Sequence, residues 1–425
     1  MKKRIGFFSY LCLLFVAAFY SSCNTNNSSK KADYGEKTID LIEIVENNPE
    51  IKSMLIASLE KAKEINPDKS TNPVQNLEEY YEFTSWAEES MPWSLLKNKE
   101  YSKLYDNIMQ SLIYFYFLND QPLPELEGKG YFNNSLQYVD PYSSWITSFN
   151  KSWGNYFDSE DSWNEDYYQM ALEDEKFGLN NDWYEDPSNW KTFNQFFSRY
   201  LKSSDKRPIT APDDNSIVVS PADAEPQGVW EIDSNSNITL KQGVTIKSGT
   251  LNSIEKLIGE DSEYEHEFAN GTFTHTFLNV FDYHRYHFPL SGIVREVRII
   301  PGNNAIGASI TWDPVNNKYL IDPSKIGWQS VETRGCVILE TEESGLVALL
   351  PIGMAQVGSV NFEENIKEGM QVSKGDMLGY FLFGGSDFIM IFQEKAGFVL
   401  DAPKKEENSQ SYKHLLMGER IGYLK

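Results

Sequence analysis

Apolar residues in the first half of the chain return every three or four positions, the period of a helix with one buried face. Asn48-Pro49 places an N-cap residue before proline at the first helical position. Ile51, Met54, Leu55, Leu59 and Ala62 then share a face, and the pattern stops near Asn66-Pro67. A second helix is predicted over Leu77 to Trp86. A third is predicted over Tyr101 to Leu118, with Leu104, Ile108, Leu112 and Phe115 in one stripe. At Asn215 the pattern changes to short β-prone runs punctuated by Gly, Asn and Pro. Ile217-Val218-Val219, Ile293 to Val297, Cys336 to Leu339 and Leu346 to Leu350 read as strands. Helices first and strands later predict an α+β protein rather than an alternating sheet. The expected division is a helical, aromatic-rich domain over 35–200 and a mostly antiparallel β domain over 201–425.

Length and composition fit this reading: 425 residues suffice for two domains, and 40% hydrophobic with 14% aromatic content is that of a folded protein. The N-terminus modifies it. Met1-Lys2-Lys3-Arg4 precedes the apolar run Phe7 to Tyr20, a secretory signal too short for a comfortable membrane span. Small residues then lead into Cys23, as in a bacterial lipoprotein signal. The expectation is a signal peptide over 1–22, a lipid-modified Cys23 and a polar tether over 23–34. That makes the chain an exported, membrane-anchored lipoprotein on the periplasmic side or outer surface. Cys336 is the one cysteine left in the folded part, so no internal disulfide is expected. A formal charge of −24 disfavours nucleic acid and anionic lipid surfaces as partners, which leaves the anchor as the expected membrane contact.

Two stretches carry little chemistry. Asp158 to Asp186 holds eleven carboxylates against Lys176, without the spacing of a calcium loop. It reads as an acidic solvated face over aromatic anchors. Residues 369–381 read as a Gly-punctuated, barrel-sandwich-like hairpin whose pattern is shared with biotinyl and lipoyl carrier domains. Lys374 lacks the turn setting of a modified carrier lysine, so the hairpin is read as structural.

Three polar sites interrupt the strands. Ser220-Pro221-Ala222-Asp223 puts a carboxylate at a strand end. Asp282-Tyr283-His284-Arg285-Tyr286-His287 holds two of the five histidines, three apart. No cysteine or clustered carboxylate completes a ligand set there, so no metal is expected. Phe383-Gly384-Gly385-Ser386-Asp387 sets a small hydroxyl on a backbone with little steric guard. Taken alone, the Gly-Gly-Ser step and the Asp223 site read first as turns.

Together they resemble the phosphatidylserine decarboxylase family of pyruvoyl-dependent enzymes. The resemblance runs from Trp190 to about Phe398. It rests on Phe196-Phe197-Ser198-Arg199, Lys206-Arg207-Pro208-Ile209, the Asp-Tyr-His-Arg-x-His motif, Val357-Gly358-Ser359 and the Phe-Gly-Gly-Ser step. It implies self-cleavage between Gly385 and Ser386 by an Asp223, His287 and Ser386 triad, with His284 as a further proton relay. Ser386 would become a covalent pyruvoyl group, the electron sink for decarboxylation. Two positions depart from the family pattern: Ala224 stands where glycine is usual, and Asp387 where threonine or serine is usual.

The resemblance implies phosphatidylserine as substrate and phosphatidylethanolamine as product. The acidity and the long helical extension also resemble members that act on free, including aromatic, amino acids. A non-enzymatic reading is an uncleaved lipoprotein binding module.

Overall fold

The computed structural model describes residues 34–88, 90, 108–239, 252–303, 305, 307–355, 359–407 and 409–425. The signal segment and Cys23 lie outside the described residues. The helical part opens with α1 (Glu36–Asn47), α2 (Pro49–Ile65) and α3 (Leu77–Ala87). Proline begins α2, whose buried residues include all five of the expected stripe. Asn76 caps α3 by accepting from the Glu79 amide at 3.0 Å. Next come α4 (Ile108–Asn119) and α5 (Tyr142–Phe157). The predicted start of α4, residues 101–107, lies outside the described residues. On α5, Tyr142, Trp145, Phe149, Trp153 and Phe157 form one buried aromatic ridge. Short helices α6 (Glu165–Glu173) and α7 (Phe193–Phe197) complete this part. Most carboxylates here face solvent, with Tyr167 of α6 and Phe177 and Tyr184 of the following segment buried beneath. Neither α1 nor α5 was anticipated from the sequence pattern.

The strands begin with β1 (Ile217–Val219), β2 (Glu225–Glu231), β3 (Thr272–Leu278), β4 (Arg285–His287) and β5 (Gly292–Ile300). A hairpin of β6 (Ser309–Asp313) and β7 (Lys318–Asp322) follows. Then come β8 (Thr333–Thr341), β9 (Gly345–Met354), β10 (Asn361–Phe362), β11 (Gln371–Val372) and β12 (Met377–Tyr380). The chain ends with β13 (Gly385–Phe392), β14 (Val399–Leu400) and β15 (Arg420–Tyr423). A short helix, α8 (Ile254–Ile258), lies between β2 and β3. The main sheet has the order β11-β5-β8-β9-β13-β3-β2, with antiparallel pairs throughout. The described sheets form an antiparallel α+β arrangement with no closed barrel.

One expectation needs correction. Residues 369–381 turn at Ser373–Asp376, but β11 and β12 do not pair with each other. β11 pairs with β5, and β12 lies between β10 and β4 in a separate small sheet. The segment is a corner joining two sheets. Lys374 at its tip donates Nζ hydrogen bonds to the Ala211, Asp214 and Ile217 carbonyls at 2.9, 2.6 and 2.7 Å, which ties down the loop before β1.

The two parts of the chain pack through specific contacts. Tyr319 of β7 inserts among the helices, its ring 4.7 Å from Phe117 and 5.5 Å from Tyr114. Its hydroxyl donates to the Thr71 carbonyl at 2.8 Å and accepts from Asn66 at 2.9 Å. The Gln110 side chain pairs with the Tyr319 backbone, donating to its carbonyl and accepting from its amide.

Candidate active site

β13 is central in the main sheet, with β9 on one side and β3 on the other, and its buried run Phe388 to Phe392 anchors it there. Gly384, just before the strand, has φ 156°, which side-chain-bearing residues rarely adopt. The step into the strand leaves Ser386 fully buried, with its Oγ 3.4 Å from His284 Nδ1.

The other contacts of His284 fix its chemistry. Its Nε2 lies 2.9 Å from the Asn279 carbonyl, which can only accept, so Nε2 carries the ring proton. Nδ1 is then the lone-pair nitrogen facing Ser386. Burial, followed by the charge of Arg199, holds the His284 pKa at about 3, so the ring is neutral at ordinary pH. Phe197 of α7 stacks on the imidazole at 3.8 Å and 22° and fixes its plane. Arg199 is held by the Phe281 and Asp282 carbonyls at 2.9 and 3.0 Å.

His287 is also buried, which lowers its pKa to about 4. Its Nδ1 donates to the Gly375 carbonyl at 2.8 Å, and its Nε2 accepts from the Tyr283 hydroxyl at 3.1 Å. Both ring nitrogens are engaged, so His287 must release one contact before it can serve Ser386. Asp223 is buried in a two-pronged pair with Arg207, Nε to Oδ1 at 2.9 Å and Nη2 to Oδ2 at 2.6 Å. The Met417 amide donates to Asp223 Oδ1 at 2.8 Å. The carboxylate acts on His287 through its charge. The structure therefore brings Ser386 and His284 into contact, and gives Asp223 an arginine partner instead of an imidazole.

Ala224 is accommodated without strain. Its φ is not among the positive ones, and it exchanges two 2.9 Å backbone hydrogen bonds with Leu415. Asp387, next to Ser386, turns to the other side of the sheet and meets His275 at 2.8 Å. Further site residues escaped the sequence reading. His414 pairs with Asp282 at 2.9 Å, and Phe383 is walled by Phe157, Phe193 and Phe197 at 4.7, 4.8 and 5.2 Å. Asn194 accepts from the Phe383 amide at 3.0 Å. The aromatic spacing around Phe193 was the available signal for this wall. Nothing local marked His414.

A family model described as phosphatidylserine decarboxylase matches residues 193–423, more than half of the chain. The chain belongs to this family. Among similar proteins is "Phosphatidylserine decarboxylase proenzyme 2" of Oryza sativa, 34% identical over 248 residues, covering 57% of this chain and 36% of that protein. The chain thus spans about a third of the rice protein's length. "Phosphatidylserine decarboxylase proenzyme" of Alcanivorax borkumensis is 35% identical over 237 residues, covering 53% of this chain and 75% of that protein. "Decarboxylase iboD" of Amanita muscaria is 25% identical over 303 residues, covering 67% of this chain and 83% of that protein. That share exceeds what residues 193–423 can supply, so the likeness enters the helical part. Of the residues that carry the sequence resemblance to this family, Asp223, His284, His287 and Ser386 are all buried.

Proposed function

We propose that this chain is a proenzyme that cleaves itself between Gly385 and Ser386 and then decarboxylates phosphatidylserine to phosphatidylethanolamine. The observation that carries the reading is the buried Ser386 hydroxyl facing the lone-pair nitrogen of a neutral imidazole, in a chain of this family. The hydroxyl is fully buried in the uncleaved chain, and the imidazole is the proton acceptor it meets.

In processing, Ser386 Oγ attacks the Gly385 carbonyl carbon while its proton passes to His284 Nδ1. The amide bond breaks as His284 passes that proton on to the Ser386 nitrogen, and an ester forms between Ser386 Oγ and Gly385. Loss of the Ser386 Cα proton breaks the Cβ–O bond, freeing Gly385 as a carboxylate and leaving dehydroalanine. Water then adds and ammonia leaves, giving a pyruvoyl group at the head of the chain 386–425. The donor set fits such a group: a dry hydroxyl, a glycine pair upstream and a neutral base. Once formed, the pyruvoyl ketone supplies the electron sink for carbon dioxide release. His284 would face the reacting centre with Phe197 holding its plane. Asp223, held by Arg207, would act through its charge on His287, the histidine to which the resemblance gives the base role.

The relatives' names favour this reading over action on free amino acids or an uncleaved module. Export and anchoring through Cys23 are part of the proposal, supported by the basic start, the apolar run and the cysteine. Two assays test the reading. A denaturing gel with mass spectrometry should show two chains, the smaller beginning at residue 386. Carbon dioxide should be released from phosphatidylserine vesicles and not from free aromatic amino acids. One intact chain, or release only from the free amino acid, overturns it. His284→Ala and His287→Ala identify the base, and His284→Ala is expected to slow cleavage by at least about a hundredfold.

A further inference from the structure

Directly paired residues of an antiparallel sheet share a face, and neighbours along a strand alternate. Ser386 lies opposite Gly353 and Leu278, on the face that looks towards His284. Asp387 lies opposite Ile352 and Phe277, on the other face. There its Oδ2 meets Nδ1 of His275, which stands opposite Ile389, so the two form a diagonal cross-strand pair at 2.8 Å. Both side chains are fully buried. Trp230 stacks on the imidazole at 5.3 Å, and Trp328 meets it edge-on at 6.5 Å. His275 Nε2 and Asp387 Oδ1 have no hydrogen-bond partner among the described residues.

Such a pair is a poor way to stabilise a core. Two polar groups are taken out of water with one contact between them and two atoms left open, where apolar side chains would pack at lower cost. What it supplies is register. Phe388-Ile389-Met390-Ile391-Phe392 is apolar at every position and buried on both faces, so alternation gives this strand no preferred setting. A one-residue slip would turn Ser386 away from His284. It would also push the Asp387 carboxylate into the packing around Tyr286 and Phe388, which lie 5.7 Å apart on the first face.

We propose that Asp387 and His275 are a positioning pair that locks the register of β13 and holds residue 386 against His284, before cleavage and after it. This rests on the processing reading above. After cleavage the need is greater, because residue 386 becomes a free chain end that would otherwise fray. The pair then ties the second residue of the new chain to β3.

Two experiments on the full chain test the pair. In the first, processing is timed by gel. Asp387→Ala and His275→Ala should each slow it by at least about tenfold. Asp387→Asn keeps an oxygen that can accept from His275 Nδ1, and should recover most of the rate. The double alanine variant should be no slower than the slower single one. Wild-type rates in Asp387→Ala, no rescue by Asn, or multiplying effects in the double variant overturn the proposal. In the second, hydrogen exchange is measured on an uncleavable Ser386→Ala background. Adding Asp387→Ala should speed exchange at 386–388 and leave β8 around Val337 unchanged. A uniform rise would make the pair a mere core contact and overturn the lock. If the wild-type chain is never cleaved, the decarboxylase reading fails, and the exchange result alone decides the register claim.

Discussion

Arg207→Ala should be among the costliest substitutions outside the reacting groups. The Arg207 side chain is 0% exposed and that of Asp223 3%, so solvent does not screen the pair. Three guanidinium contacts at 2.6 to 3.2 Å are lost at once. Asp223 would keep the Met417 amide as its remaining described hydrogen bond, too little for a buried carboxylate. Breaking a buried pair by removing one partner costs about 3–5 kcal/mol, most of it the charge left behind. Loss of the guanidinium over Trp183, 4.4 Å from the ring centroid, adds to this. Urea unfolding on the Ser386→Ala background would measure it without interference from cleavage. Arg207→Lys keeps the charge but not the fork, and should recover part of the loss. Asp223→Asn with Arg207→Met should cost less than Arg207→Ala alone, because no carboxylate is stranded. A loss under about 1 kcal/mol for Arg207→Ala, the range of an exposed pair, would refute the reasoning.

Other expectations follow from the same geometry. With pKa values near 3 for His284 and 4 for His287, processing should hold a steady rate from pH 8 to about 5 and fall below about 4. A midpoint near 6.5 would mean an ordinary, solvated histidine. Both folded pKa values lie below the unfolded one, so the unfolded chain binds more protons on acidification. Their contribution to stability is present above about pH 6.5 and lost as the pH falls, towards about 4 for His287 and about 3 for His284, by up to about 1.4 kcal/mol per pH unit for each ring. Acid titration of the unfolding free energy, compared with His284→Ala, checks the sign. Tyr319→Phe removes two hydrogen bonds at the docking of β7 on the helices, leaving Asn66 Nδ2 with Thr71 Oγ1 as its described partner and the Thr71 carbonyl without the Tyr319 hydroxyl. It should cost about 1–3 kcal/mol in urea unfolding, and no loss would mean that the hairpin docks by packing alone.

Some of the fold was legible because it is local. The α2 stripe, the proline at its start and the β1, β5, β8 and β9 runs follow from period and propensity, and the structure places them where the pattern does. The sheet-joining role of residues 369–381 was not legible, because glycine punctuation marks a turn without saying which edge each strand then finds.

The chemistry divides the same way. Sequence alone determined which residue types are present: a hydroxyl after two glycines, two histidines three apart, and an aspartate at a strand end. Only the tertiary structure decided which of them meet. In extended chain, residues three apart point to opposite sides, so either His284 or His287 could have faced Ser386, and the placement of β4 beside β12 selects His284. Arg207 and Asp223 lie 16 residues apart, on either side of β1, and meet only in the folded chain. Asp387 and His275 are 112 residues apart and meet through the register of β3 and β13. Periodicity reports a residue's exposure, which is set within a few turns of chain. The partner of a buried polar group is set by sheet order, and sheet order arises only when distant strands pair.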